Sequence, residues 1–92
     1  MFFHRPKLTL PHTAATVELL REALAEYDVE VGEDECGRQL QDLNMDDIDL
    51  VEAIQLVEAF VRGRISKLAL KPTTTLGELA AMLDAVRQTP KT

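Results

Sequence analysis

The stretch from Asp46 to Gly63, DDIDLVEAIQLVEAFVRG, decides the fold. Its apolar residues recur every three or four positions, which is the period of one face of an α-helix. We expect a helix that begins at Asp46 or Asp47, because acidic side chains favour the positive end of the helix dipole, and that ends at Gly63. The apolar row, widened by Leu50 and Phe60, consists of Ile48, Val51, Ile54, Val57 and Val61. The polar side consists of Asp49, Glu52, Glu58 and Arg62.

Helical patterns also lie on both sides of this stretch. A stripe of apolar residues predicts a helix over residues 13–27, with Thr13 as its N-cap. A second pattern predicts a helix over residues 75–87, where Thr75 and Glu78 form the T-x-x-E signature of a capping box. Between them, residues 65–71 are expected to form a short helix that ends before Pro72. Its apolar anchors are Ile65, Leu68 and Leu70.

Residues 28–45 lack such a period and are expected to form a long loop. Gly32 and Gly37 would break a helix here. The apolar residues that we expect to reach the core from the loop are Val29, Val31, Leu40, Leu43 and Met45. The fold class is therefore all-α, a bundle of three longer helices and one short helix over residues 13–88. Residues 1–12 are interpreted as an irregular arm and residues 89–92 as a tail.

The composition describes one small acidic domain. The chain has 92 residues and a net charge of −6, and residues 18–58 hold fourteen acidic side chains but only Arg21 and Arg38 as bases. This charge disfavours nucleic acid as a partner. No apolar run is long enough for a transmembrane helix, and the first ten residues do not fit a secretory signal. Cys36 is the single cysteine, so a reducing cytoplasmic location is expected.

No pattern in the chain favours a metal site. Asp42, Asn44 and Asp46 alternate like the first ligands of a calcium loop, but Asp47 stands where that loop has glycine and Ala53 where it has glutamate. We therefore interpret these acidic residues as helix caps. The two histidines, His4 and His12, have no cluster of further ligands at metal-binding spacing.

Nucleophilic catalysis is also disfavoured. The neighbours of Cys36 are acidic, which opposes formation of a thiolate. Ser66 is the only serine and has no evident general base beside it. We therefore do not expect an enzyme.

Residues 43–52, LNMDDIDLVE, resemble the motif L-G-x-D-S-L-D-x-V-E of acyl carrier proteins. Leu40 and Asp42 upstream, Ile65 after helix two and the threonines with Leu76 before the last helix also agree with that family. The likeness spans residues 13–87. The order of the predicted elements agrees independently: a long helix, a long loop, a long helix, a short helix and a final helix.

The resemblance implies a site for 4′-phosphopantetheine, which the family carries on the serine of its motif. Asp47 occupies that position, and a carboxylate has no hydroxyl to accept the group. We therefore expect no cofactor on this chain. Asn44 replaces the common glycine, but asparagine also tolerates a left-handed backbone. Three interpretations of Asp47 stay open: a helix cap, a fixed negative charge in place of the phosphate, or an engineered block to loading.

The resemblance also implies how the protein meets its partners. Carrier proteins present the acidic start of helix two to basic patches on synthases, ligases or transferases. The corresponding positions here are Asp46, Asp47, Asp49, Glu52, Gln55, Leu56 and Glu58. A basic border follows at Arg62, Arg64 and Lys67, either to narrow the choice of partner or to pair with acids internally. The family stores acyl chains along rows that match Val51, Ile54, Leu79 and Leu83, which we expect to be ordinary core here.

Three functions remain open at this stage. The first is a carrier-like module that binds other proteins without the prosthetic group. The second is an acyl carrier protein of fatty-acid or polyketide-type synthesis whose attachment serine has been replaced. The third is an unrelated acidic helical adaptor. A monomer is expected for each of them.

Overall fold

The computed structural model describes residues 8–88, in which the regular structure is entirely helical. Three α-helices, α1 (Thr16–Ala25), α2 (Asp47–Val61) and α3 (Leu76–Ala85), alternate with two short 3-10 helices, Leu40–Leu43 and Lys67–Ala69. The prediction of an all-α fold is confirmed. The first 3-10 helix interrupts the segment predicted as loop, and the second is shorter than the helix predicted over residues 65–71.

The core lies where α1 packs against both α2 and α3. Leucine side chains of α1 and α3 meet the inward face of α2, and burial of this apolar surface is the main force that holds the bundle together. Val31, Leu40 and Leu43 reach the core from the segment between α1 and α2, as predicted, and Val29 and Met45 pack at its edge. The side chains in the centre are Leu19, Leu20, Leu24, Ile54, Val57, Val61, Leu79 and Leu83.

Helix α1 begins later than predicted. Thr13 is not its N-cap, because the backbone N–H of Ala14 donates to the carbonyl of Pro11 and holds residues 11–14 in a turn. The helix starts instead at Thr16, whose hydroxyl donates to Asp84 Oδ1 of α3 at 2.8 Å. The guanidinium of Arg87 donates to the carbonyl of Ala14 at 2.7 Å and joins the same two helix ends.

The arm predicted over residues 1–12 falls partly outside the described residues. Its described part is irregular but packed: Leu8 and Leu10 lie against the core, and Thr9 Oγ1 donates to Glu22 Oε2 at 2.9 Å. The ring of His12 lies 5.2 Å from that of Phe60. His4 and the predicted tail, residues 89–92, lie outside the described residues.

Backbone hydrogen bonds tie the α1–α2 segment to the chain before α3. Leu40 N donates to Thr74 O at 2.8 Å, and Gly77 N donates to Cys36 O at the same distance. Helix α3 begins with the predicted capping box, in which Glu78 N donates to Thr75 Oγ1 and Thr75 N donates to Glu78 Oε1. These contacts fix the chain that leads into α2.

Helix α2 ends by a different device from the one predicted. The left-handed residue is Arg62, with φ of 59°, and Gly63 follows it. Glycine is needed at 63 for space, since a Cβ there would lie 2.0 Å from the carbonyl oxygen of Val86. The conformational freedom of Gly63 is therefore not what stops the helix; its lack of a side chain lets the end of α3 pack closely.

Candidate functional site

A tight turn sets the start of α2. Leu40 and Leu43 of the first 3-10 helix are buried, and Asn44 follows in the left-handed conformation, with φ of 53°. This conformation confirms the tolerance predicted for asparagine and reverses the chain direction. Asp46 is then the N-cap, and its carbonyl accepts from Leu50 N at 2.9 Å. The buried leucines thus hold the first turn of α2 in place.

The acidic side chains of this first turn are not used as caps. Asp46 is the N-cap residue, but its side chain accepts no capping hydrogen bond, which corrects the capping interpretation. Asp46 and Asp47 are exposed, and Asp49 is half-buried. Within residues 8–88, none of these three carboxylates takes part in an ion pair. Their charges favour the helix dipole and also face solvent, where a partner can reach them.

Ile48 lies in the middle of these charges and is 72% exposed. The prediction that it belongs to the buried row is wrong. At about 100° per residue, position 48 shares its side of the helix with Gln55 and Ala59, both of which are exposed, and lies opposite Val57. We call Ile48 and the carboxylates around it, Asp46, Asp47, Asp49 and Glu52, the acidic surface.

Glu52 connects the acidic surface to the end of α1. Its Oε2 accepts a hydrogen bond of 2.9 Å from the hydroxyl of Tyr27, which lies just after α1 rather than inside it. Burial, this hydrogen bond and the negative charges of Glu52, Asp49 and Glu26 raise the pKa of Tyr27 to about 12. Burial contributes most to this raised pKa, and the three carboxylates add a negative potential at this end of the molecule.

Glu58 does not belong to the exposed polar side as predicted, since it is only 7% exposed. Its Oε2 accepts from Lys67 Nζ at 2.6 Å and from Ile65 N at 2.8 Å. These donors compensate the buried charge and fix the chain that leaves α2. Of the remaining predicted contact residues, Gln55 is exposed and Leu56 is half-buried.

A cleft of about 700 Å³ adjoins the acidic surface. Asp46 and Asp47 lie on its wall, together with Lys67 and Lys71 from the segment after α2. Its apolar lining consists of Leu40, Met45, Leu50, Val51, Ile54, Leu70 and Pro72. Of the rows matched to a stored acyl chain, Ile54, Leu79 and Leu83 are buried as expected, and only Ile54 of these borders the cleft. Val51 is half-buried and lines the cleft, so the prediction that it is ordinary core is wrong.

Leu68 is a second exposed apolar side chain. In sequence it lies between Lys67 and Leu70, which both line this cleft. It follows Lys67 and is 96% exposed, so the prediction that it anchors a helix in the core is wrong. The 3-10 helix is too short to bring it inward, whereas Ile65 and Leu70 do pack against the core. Among the described residues, Ile48 and Leu68 are the two large apolar side chains that are exposed.

The described part of the chain gives little support for a metal site or for cysteine chemistry. Within residues 8–88, no three histidine, cysteine or acidic side chains are grouped to hold a metal ion. Cys36 is half-buried, and its Sγ lies 4.0 Å from the carbonyl oxygen of Glu33. None of the helices that the structure describes is long and apolar enough to cross a membrane.

Comparisons with protein-family models, with curated proteins and with solved structures find no match to this chain.

Sequence reasoning missed two features of this site. The exposure of Ile48 could have been found from its spacing to Gln55, because residues seven apart share one side of a helix. The contact between Tyr27 and Glu52 had no local signal, since it joins the segment after α1 to α2 across 25 positions of sequence. The four acidic residues that the motif predicts lie at the N-cap and in the first two turns of α2. They are Asp46, Asp47, Asp49 and Glu52.

Proposed function

We propose that the protein is a carrier-like module that binds the basic patches of carrier-dependent enzymes through the acidic surface. It acts by binding, without catalysis and without a phosphopantetheine arm. The proposal rests on the motif of residues 43–52 and on one structural observation: Ile48 is exposed among carboxylates that have no ion-pair partner within residues 8–88.

An exposed apolar side chain within a ring of charge is a common arrangement at protein interfaces. The apolar residue loses water on contact and supplies affinity, while the charges around it set orientation and speed of association. These carboxylates are available for this role because, in the part of the chain that the structure describes, they form no ion pair and the N-cap Asp46 makes no side-chain capping hydrogen bond. In the isolated protein the apolar side chain of Ile48 is exposed to water, which is unfavourable, and a partner would cover it.

Asp47 is the first residue of α2 and is exposed. The arm of the resembling family would leave the protein from this position. A carboxylate cannot form the phosphodiester that a serine hydroxyl forms with the arm. Asp47 therefore supplies one fixed negative charge in this proposal and no route for acyl transfer.

The binding step follows from these parts. Long-range attraction brings a basic patch towards the acidic surface, and added salt weakens this attraction because the Debye length is about 10 Å at 0.1 M. Ile48 then packs against an apolar site on the partner. Leu68, which is exposed in the second 3-10 helix, offers a second apolar contact. The Tyr27 hydroxyl holds Glu52 in place while the partner docks.

Loading by a phosphopantetheinyl transferase tests the proposal. The unaltered chain and Asp47→Ser are each incubated with coenzyme A and the enzyme, and intact mass is measured. We expect the arm on Asp47→Ser alone, and slower loading when Ile48→Asn or Asp46→Asn is added. Glu33→Gln, an exposed acidic residue of the α1–α2 segment, is the matched control and should load normally.

The outcomes separate the three functions. Loading of Asp47→Ser, together with binding of the unaltered chain to a carrier-dependent enzyme, supports the proposal. An unaltered chain that binds no carrier-dependent enzyme, beside a variant that loads, favours an acyl carrier protein whose serine has been replaced. An Asp47→Ser variant that is folded but never loaded favours an unrelated adaptor.

A further inference from the structure

The opposite end of α2 carries a second group of charges, which the proposed function does not use. A cleft of about 660 Å³ lies there, and its lining includes three cationic side chains and one anionic side chain. We call this the basic cleft. It is lined by Gln55, Glu58, Ala59, Arg62, Gly63, Arg64 and Lys67.

The backbone of the basic cleft is held in place from both sides. Gly63 N donates to Glu58 O at 3.2 Å, and Gln88 N donates to Val61 O at 2.8 Å. Ile65 N donates to the Glu58 carboxylate. Since Gly63 packs directly against the carbonyl of Val86, residues 62–65 have little room to move. The arginines on both sides of Gly63 therefore start from a fixed backbone.

The cations of the basic cleft fall into two kinds. Lys67 is bound to Glu58 at 2.6 Å, so these two charges compensate each other. Arg62 and Arg64 are exposed, and within residues 8–88 neither guanidinium has a hydrogen-bond or ion-pair partner. By contrast, Arg21, Arg38 and Arg87 all donate to protein acceptors. The basic cleft thus keeps two unused guanidinium groups in a protein of net charge −6.

Arg62 adopts its position in spite of backbone strain. Its left-handed conformation is one that asparagine or glycine adopts more easily. The charge of Arg62 near the C-terminus of α2 is favourable for the helix dipole, which places about half a negative charge there. Two positive charges exceed that half charge, so the basic cleft remains attractive to an anion.

We propose that the basic cleft binds a phosphate monoester. Each guanidinium offers five N–H donors in a planar fork that suits phosphate oxygens. A monoester dianion carries a charge of about −2 near pH 7, which matches the two unpaired arginines better than a single carboxylate does. The lining also includes Gln55 and Ala59, which offer polar and apolar contacts to the organic part of the ligand.

This proposal does not depend on the function assigned to the acidic surface, because the acidic surface and the basic cleft have no residue in common. Of the two interpretations of the basic border, internal pairing holds for Lys67, and the proposal gives Arg62 and Arg64 a role outside both. Lys67 pairs internally, whereas Arg62 and Arg64 are left for a ligand.

Titration of the full chain with O-phosphoserine, followed by backbone amide NMR shifts, tests the site. We expect saturable shifts centred on residues 62–65 and none with serine at equal concentration. Inorganic phosphate should bind more weakly than O-phosphoserine, because it cannot use the rest of the cleft. Binding should weaken between pH 7.5 and pH 5, since the second phosphate proton binds near pH 6. Equal or tighter binding of inorganic phosphate would overturn the monoester assignment.

Three variants examine the role of the guanidinium groups. Arg62→Gln with Arg64→Gln should weaken O-phosphoserine binding by about tenfold or more, as expected when charge-assisted hydrogen bonds are lost. Arg62→Lys with Arg64→Lys keeps the charge, and its affinity for O-phosphoserine should lie between those of the unaltered chain and the double Gln variant. Lys71→Gln removes a cation outside the basic cleft and should change nothing. Unchanged affinity in the double Gln variant, with its fold intact by NMR, would overturn the site.

Discussion

The carboxylate of Glu58 in α2 lies 2.6 Å from the ammonium group of Lys67, nine positions later in the chain. The same oxygen accepts the backbone N–H of Ile65. One buried acidic residue thus closes the turn that follows α2, at the wall of the basic cleft. The C-terminal end of α2 is therefore held by a charge that Lys67 already compensates.

Glu58→Gln tests this structural role. The amide keeps an acceptor for Ile65 N but loses the charge that attracts Lys67, so we expect unfolding free energy to fall by about 1–2 kcal/mol. Urea denaturation gives the value. Glu26→Gln, at an exposed position just after α1, is the control and should stay within about 0.5 kcal/mol of the unaltered chain. Equal stability of the two variants would contradict the role given to Glu58.

Gly63→Ala tests the close approach between the ends of α2 and α3. A Cβ at 63 would lie 2.0 Å from Val86 O, so the backbone must shift, at a cost of about 1–3 kcal/mol or more. Gly37→Ala is the matched control, because a Cβ there meets nothing within 4 Å. Thermal unfolding of both variants compares them. A Gly63→Ala protein that is as stable as Gly37→Ala would show that the two ends do not pack as described.

Thr75→Ala tests the capping box of α3. Loss of the hydroxyl that accepts from Glu78 N should destabilise the protein by about 1 kcal/mol, whereas Thr73→Ala, an exposed threonine two positions earlier, should have little effect.

Hydrogen bonds from the backbone and side chain of Thr75 lower the pKa of Glu78 from its ordinary value of 4.5. The stabilisation from Glu78 is therefore present above pH 4.5 and is lost as the pH falls through the lowered pKa. A Glu78→Gln variant whose stability differs from the unaltered chain equally at pH 7 and pH 3 would contradict this assignment.

The Tyr27 hydroxyl gives a prediction at alkaline pH. The chain has one tyrosine and no tryptophan, so ultraviolet absorbance of the phenolate reports Tyr27 alone. We expect it to titrate at about 12 in the folded protein, and nearer its ordinary value of 10.0 in Glu52→Gln. Because the folded pKa is raised, the stabilisation is complete below pH 10 and is lost as the pH rises through the folded value. A phenol that titrates at the same pH in both proteins would show that the Glu52 carboxylate does not accept a hydrogen bond from Tyr27.

Local patterns in the sequence predicted much of the fold. The acidic run at Asp46 and Asp47 and the T-x-x-E signature at Thr75 located the starts of α2 and α3, because both act within one helical turn. The start of α1 was misplaced at Thr13, since Pro11 takes part in a turn that no helical period records. Local signals thus identified helices better than they identified helix ends.

The candidate site was less accessible from the sequence. Glu58 has the same local setting as an exposed acidic residue, and only its distant partner Lys67 shows why it is buried. Arg62 and Arg64 looked equivalent to Lys67 until the structure separated the paired cation from the unpaired ones. Ile48 was misassigned because the apolar row was extended one residue too far round the helix. Contacts between separate elements decided each of these cases, and spacing alone does not contain them.

Competition for a phosphopantetheinyl transferase tests the central claim most directly. The unaltered chain is added to a loading reaction in which Asp47→Ser is the substrate, and intact mass follows both proteins. We predict that the unaltered chain gains no mass and slows loading in a salt-sensitive way, and that Ile48→Asn in the competitor relieves the inhibition. Undiminished loading of Asp47→Ser in a large excess of the unaltered chain, or transfer of the arm to the unaltered chain, would contradict the account.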